Sequence, residues 1–211
     1  MDAFEASLRS SGIRFICGVD EVGRGPLAGP VVAGAVILNP EDPIEGIDDS
    51  KKLSAKARER LAVQIQDHAL AWATAYVWEA EIDDINIYQA SRKAMLLAID
   101  KLGIRPEHVL TDAMPLPGYK IPHTAIIHGD ALSASIGAAS IVAKVERDAF
   151  MVRMDRIHPG YGFAKNKGYP TPEHLDALRR LGVCPIHRMS YEPVRAVNQR
   201  QTKLDLEGSQ P

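Results

Sequence analysis

Apolar residues in the first forty positions form two runs, Ile13-Arg14-Phe15-Ile16-Cys17-Gly18-Val19 and Val31-Val32-Ala33-Gly34-Ala35-Val36-Ile37-Leu38, separated by a segment rich in glycine and proline. Runs of this length, bounded by turn residues, predict buried strands. The same criterion gives strands over 14–20, 31–38, 71–78 and 107–111, and a weaker one over 123–128. Elsewhere the apolar positions change to helical spacing, as at Leu61, Ile65, Ala69 and at Leu96, Ile99, Leu102. Helices are expected over 55–69, 81–102, 132–157 and 172–181. Ser54 and Thr171 stand where N-caps belong, and Pro172 suits a first helical position. Strands joined by a tight turn, followed by strand–helix alternation, predict an α/β fold with a mixed sheet flanked by helices. No linker or internal repeat divides the chain, so one domain is expected over 1–197, ending in a helical segment. The polar remainder, 198–211, reads as a disordered tail.

The strand ends carry the chemistry. Asp20-Glu21-Val22-Gly23-Arg24-Gly25-Pro26 follows the first run directly, setting two acids beside a basic residue between glycines. Carboxylates suit a divalent cation, and glycines let bare backbone approach a ligand. Taken by itself the segment reads equally as an ordinary hairpin turn. Neighbouring strand residues point to opposite faces, so Asp20 and Glu21 share a site only where the strand twists or ends. Two more strand-like runs end in acids, at Asp112 and at Asp130. If the carboxyl ends of these strands lie together, four acids meet at one rim, the usual ligand edge of an open α/β sheet. Two unit charges ~4 Å apart repel by about 4 kcal/mol at an effective dielectric near 20. Such a cluster calls for protons or hard cations, and Mg²⁺ or Mn²⁺ fits. After Asp130 comes Ser133-Ala134-Ser135-Ile136-Gly137-Ala138-Ala139-Ser140, a helix start with little bulk that can pack close to a sheet.

Together the segments Gly18–Pro30, Asp48–Ser54, Gly129-Asp130 with Ala138–Asp148, Asn166–Thr171 and Pro185–Arg188 resemble the ribonuclease HII family, in the family's order and over roughly Arg14 to Val194. The resemblance implies a ribonuclease H-like fold and an endoribonuclease acting on RNA–DNA hybrids and on single ribonucleotides embedded in duplex DNA. It further implies two divalent ions, Mn²⁺ or Mg²⁺, on Asp20, Glu21, Asp112 and Asp130, products with 3′-hydroxyl and 5′-phosphate ends, and a role in ribonucleotide removal during replication and repair. Whether Glu21 binds through its side chain or its main-chain carbonyl is left open. Backbone groups of Gly23, Arg24 and Gly25, with Tyr169, are implied at the sugar of the ribonucleotide–deoxyribonucleotide junction. Lys51, Lys52, Lys144 and Lys167 are candidates for phosphate contact. The rival chemistry is metal-independent cleavage with His123 and His128 as acid and base; another is a silent binder of the same fold.

Charge and cysteines adjust this picture only slightly. A net charge of −2 over 211 residues lacks the basic excess of many nucleic-acid binders. Local cations at Lys51-Lys52, Lys165 with Lys167, Arg179-Arg180 and Arg188 are expected to supply the field instead. Cys17 and Cys184 form neither a disulfide framework nor a zinc pattern, which suggests free thiols in a reducing compartment. The chain starts without a basic n-region, and no apolar run approaches the roughly 18 residues of a membrane span. A cytoplasmic monomer is expected. In the tail, Gln201, Leu204 and Leu206 have a spacing that resembles short peptides binding DNA sliding clamps.

Overall fold

Five strands make one mixed sheet: β1 Ile16–Val22, β2 Val31–Ile37, β3 Ala71–Val77, β4 His108–Asp112 and β5 His123–Ile126, in the order β3-β2-β1-β4-β5. This is a computed structural model; it describes residues 3–48, 50 and 52–207, of which 202–207 are described as helix backbone alone. Lys51 therefore lies outside the described residues, as do the side chains of Leu204 and Leu206. β1 runs antiparallel to β2 and parallel to β4, and β4 runs parallel to β5. β1, β4 and β5 thus end at the same rim, where Asp20, Asp112 and the β5–Asp130 connection lie.

The helices are α1 Ala3–Ser10, α2 Ala55–His68, α3 Glu79–Asp100, α4 Gly129–Leu132, α5 Ala134–Ile157, α6 Phe163–Asn166, α7 Pro172–Leu181 and α8 Glu192–Glu207. The mixed sheet flanked by helices is the architecture that the patterning predicts. Ser54 accepts from the Ala57 amide and Thr171 from the His174 amide, so both expected caps form. α3 breaks at Asn86, whose φ is 66°; the Asn86 side chain accepts from the amides of Tyr88 and Gln89 and restarts the helix.

Among the described residues, α1, α6 and all but the last residue of α4 lie outside the expected helices. α1 is short and largely polar, and its use is long-range: buried Glu5 accepts from Ser133 Oγ at 2.6 Å and from the Ser135 amide at 3.0 Å, capping α5. α8 begins within the helical segment expected at the end of the domain and runs on to Glu207, across part of the stretch expected as tail. Its apolar side, with Val194 buried and Val197 half-buried, joins Leu27 and Leu178, and Gln201 Oε1 accepts from the Val183 amide at 3.3 Å. Composition alone reads 198–207 as tail because two leucines stand among eight polar residues.

Contacts gather into two units. The first holds the described residues up to Val22, with Val32–Tyr76 and Ser91–Glu146; the second holds Gly23–Val31, Val77–Ala90 and the residues from Arg147 onward. In the first, Val36 packs with Leu61, Ala62 and Ile65 of α2 and with Ala138, Ala139, Ile141 and Val142 of α5. Each fully buried large aliphatic side chain there is worth roughly 1.5–3 kcal/mol. Among the described residues no helix is long and apolar enough to cross a membrane.

Candidate active site

Glycines bring α5 onto the sheet. A Cβ on Gly18 would lie 2.0 Å from the Ser135 carbonyl carbon, and one on Gly34 would lie 2.4 Å from the Ala139 carbonyl oxygen. Gly34 pairs with Asp20 across β1 and β2, and Gly18 shares the Asp20 face two residues back. The helix backbone therefore touches the sheet beside Asp20, and Ser140 reaches its carboxylate as a hydrogen-bond donor. Ser140 Oγ also meets buried Ser50 Oγ at 2.8 Å. A glycine inside an apolar strand signals this kind of close approach.

One carboxylate oxygen each from Asp20, Asp112 and Asp130 lies within 4.8 Å of the others. Asp20 and Asp130 are buried and Asp112 half-buried. Asp112 Oδ1 accepts the Gly129 amide at 2.8 Å, joining the end of β4 to the start of α4. Asp130 follows in that first turn, after His128 in the left-handed region at φ 59°. Burial first, then the charges of Glu21 and Asp112, push the Asp20 carboxyl well above the usual carboxylate range, partly offset by Ser140 and by the Glu21 amide at 2.8 Å. Oxygens bound to one magnesium-sized ion are at most about 4.2 Å apart, so small side-chain movements close the trio on a hard divalent cation. The Asp20 carboxylate is destabilised as an anion, and the donor set is oxygen only; the residues fit such a metal. Glu21, half-buried on the next strand position, is outside this trio.

The glycine-rich loop belongs to the second unit and is held from behind by two buried arginines. Arg188 donates from Nε and Nη2 to the Gly29 carbonyl, from Nη2 to Gly23 O at 2.6 Å and from Nη1 to Arg24 O at 3.0 Å. Arg147 donates to the carbonyls of Pro30, Ala28 and Lys167. Each is 0% exposed, and burial pulls the Arg147 guanidinium down to about 10. Glu79, also buried, lies near enough to both for their charges to act on its carboxyl, which burial nevertheless raises. Gly23, at φ +97°, has no room for a side chain: a Cβ would sit 2.2 Å from Arg147 Nε. This corrects the expectation for Arg188, which supplies no surface field because its guanidinium is spent on carbonyls.

Arg24 and Gly25 are exposed, and the Tyr169 ring lies 3.5 Å from where a Gly25 Cβ would be, itself 39% exposed. The lysines differ in their positions. Lys52 is exposed and 3.5 Å from Asp48, Lys144 is half-buried on α5, and Lys167 turns its ammonium to the Ala164 carbonyl. That last contact makes Lys167 a poorer phosphate ligand than its charge suggests. The rival imidazoles sit on different elements: His123 begins β5, and His128, in the left-handed region, is the N-cap of α4.

A family model described as Ribonuclease HII matches residues 17–194. A Ribonuclease HII of Moorella thermoacetica is 56% identical over 190 residues, covering 90% of this chain and 92% of the relative. Among solved structures, the ribonuclease H2 of Pyrococcus horikoshii OT3 superposes with a TM-score of 0.75 at 28% identity, covering 89% of this chain and 99% of that one. The RNase HII in a PCNA complex from Archaeoglobus fulgidus gives 0.70 at 25% identity, covering 84% and 95%.

Proposed function

We propose, because this chain belongs to the ribonuclease HII family, that it hydrolyses the RNA strand of RNA–DNA hybrids and incises duplex DNA at single embedded ribonucleotides, using two divalent ions, Mn²⁺ or Mg²⁺. Family membership makes it a metal-dependent ribonuclease; the two ions, the single-ribonucleotide substrate and the role in ribonucleotide removal are the proposal. The observation that carries it is the convergence of Asp20, Asp112 and Asp130 within 4.8 Å. Asp20 and its two partners would hold the ions, with Glu21 contributing by side chain or carbonyl. When bound, the ions supply an activated water and neutralise charge at the scissile phosphodiester, with no covalent enzyme intermediate and 3′-hydroxyl and 5′-phosphate products. Ser140 and the Glu21 amide orient the Asp20 carboxylate for this task. The Gly23-Arg24-Gly25 backbone, shaped by Arg147 and Arg188, and the Tyr169 ring would read the 2′-hydroxyl and the sugar face, the group that distinguishes RNA from DNA.

The test is cleavage of three labelled duplexes: DNA with one ribonucleotide, a long hybrid and plain DNA. Incision of the first two and not the third is expected under Mg²⁺ or Mn²⁺, with complete loss in EDTA. Cleavage that survives chelation rules out the metal mechanism, and tight hybrid binding without product identifies a silent binder. Tyr169→Ala should lower cleavage at a single ribonucleotide about a hundredfold while leaving Mn²⁺ affinity unchanged, since the ring positions sugar rather than metal. Unaltered cleavage would make Tyr169 a structural residue. A sliding-clamp contact through Gln201, Leu204 and Leu206 is supported by the relative solved with PCNA. Here it would require Gln201 to release the Val183 amide.

A further inference from the structure

Behind Tyr169 lie two histidines, His174 on α7 and His187 in the segment that pairs with Ala28, 0% and 1% exposed. Their Nε2 atoms face each other at 3.2 Å. His187 Nδ1 accepts the Cys184 amide at 2.9 Å, and His174 Nδ1 lies 2.9 Å from the Tyr169 carbonyl. A backbone amide only donates and a carbonyl only accepts, so the protons of two neutral rings have one arrangement. His187 carries its proton on Nε2 and donates to His174 Nε2; His174 carries its proton on Nδ1 and donates to Tyr169 O. The same carbonyl accepts the Thr171 amide at 2.8 Å, while the Tyr169 amide donates to Asn166 O at 2.9 Å. Tyr169 is thus fixed at both ends of its main chain while its ring stays exposed.

We infer that His174 and His187 are a positioning pair for Tyr169, a one-directional hydrogen-bond relay that sets the main chain carrying the substrate-facing ring. The inference rests on the proposed role of Tyr169 at the ribonucleotide. Aromatic rings enclose the relay: Phe163 stands edge-on to His174 with centroids 5.3 Å apart, and Tyr161 lies 5.1 Å from His187. Enclosure keeps the pair neutral. Burial pulls both imidazoles down, His187 to about 4 with His174 as the next cause. Of the titratable groups facing the pair, the Cys184 thiol is pushed up to about 11 and the Tyr161 phenol is raised by burial, so both stay uncharged near neutrality. His158, just beyond α5, is a further imidazole whose field bears on His187. A proton added to His174 Nε2 would set two N–H groups head to head and break the relay. Because the folded values lie below the ordinary 6.5, the unfolded chain binds more protons. The stability from the pair is complete above about pH 6.5 and is lost as pH falls toward about 4.

The experiment uses the full chain and measures kcat/KM on the single-ribonucleotide duplex and on the long hybrid, so that common losses cancel in the ratio. His174→Phe, which keeps the ring volume and removes the relay, should lose about tenfold more on the single ribonucleotide than on the hybrid. His174→Asn, which retains an N–H near the Nδ1 position, should recover most of that loss. The wild-type ratio should hold steady between pH 7 and 5, where the enclosed pair stays neutral; a fall across that range overturns the neutral relay. Should His174→Phe fail to fold, ¹⁵N spectra of the wild-type imidazoles decide: Nδ1–H on His174 with Nε2–H on His187 is expected, and the opposite tautomers overturn the relay. If Tyr169→Ala leaves the single-ribonucleotide rate intact, the underlying role of Tyr169 has failed. If Tyr169→Ala is impaired and a folded His174→Phe is not, only the positioning pair has failed.

Discussion

Asp20→Asn is expected to reduce cleavage of every ribonucleotide-containing duplex by about three orders of magnitude or more and, in EDTA, to melt at a higher temperature than the wild type. The first effect follows from replacing an anionic oxygen donor by an amide at the center of a hard-metal site. The second follows from linkage. Burial and the charges of Glu21 and Asp112 raise the folded-state Asp20 carboxyl, so the native state binds its proton more tightly than the unfolded chain does. Its contribution to stability is therefore present below the unfolded value and lost as pH rises through the raised one; at neutral pH the carboxylate is a burden on the metal-free fold. Asparagine removes that burden at nearly constant volume. Added Mg²⁺ should raise the wild-type melting temperature by mass action and leave that of the variant nearly unmoved. Single-turnover cleavage with paired melting curves tests both effects, and turnover near wild type would remove Asp20 from the site.

Gly18→Ala should be among the most destabilising single-methyl substitutions in the chain. The new Cβ would fall 2.0 Å from the Ser135 carbonyl carbon, 2.2 Å from its oxygen and 2.3 Å from the Ile136 nitrogen. These are main-chain atoms near the start of α5, which no rotamer change can move. Overpacking usually costs about 1–3 kcal/mol, and an immovable obstacle puts this case at about 3 kcal/mol or more. In a chain of this length that lowers the melting temperature by roughly 6–12 °C. Activity should fall as well, since lifting α5 withdraws Ser140 from Asp20. Gly103→Ala is the control: it has open space around it and an ordinary φ, and it should melt within a degree or two of wild type. A Gly18→Ala protein as stable as that control would disprove the direct helix-to-sheet contact. The two substitutions separate the roles of neighbouring residues, one lowering activity without loss of stability and the other lowering both.

What the sequence makes legible is what local pattern encodes. Four of the strands declare themselves as short apolar runs, β5 more weakly, and the small residues of α5 advertise close packing; both arise within a few positions of one another. The acids at the ends of β1 and β4 are legible for the same reason. Parallel pairing of β1, β4 and β5 then brings Asp112 and Asp130 toward Asp20. Residues whose meaning depends on distant partners are opaque. Glu5 looks like a surface acid until Ser133 and Ser135 arrive from nearly 130 positions away. Arg188 looks like a surface cation until its guanidinium is seen facing carbonyls from residues 23–29. His174 and His187 carry no spacing signal, because their relay is made by a fold that sets two imidazoles nitrogen to nitrogen. The end of α8 is opaque for another reason: 198–207 hold two leucines among eight polar residues, a composition without helical periodicity.

The two buried arginines also bear on the order in which this protein can be built. The bonds that shape residues 23–30 span 117 and 119 positions to Arg147 and 159 to 165 positions to Arg188. Contacts this remote in sequence form late, since the closure entropy of the intervening chain must be met before they contribute. During synthesis the loop that would read the sugar cannot take its final shape until the chain has been made through Arg188, long after Asp20, Asp112 and Asp130 have left the ribosome. The nascent chain therefore holds all three carboxylates for the 58 residues from Asp130 to Arg188 before it has a finished surface with which to select a substrate.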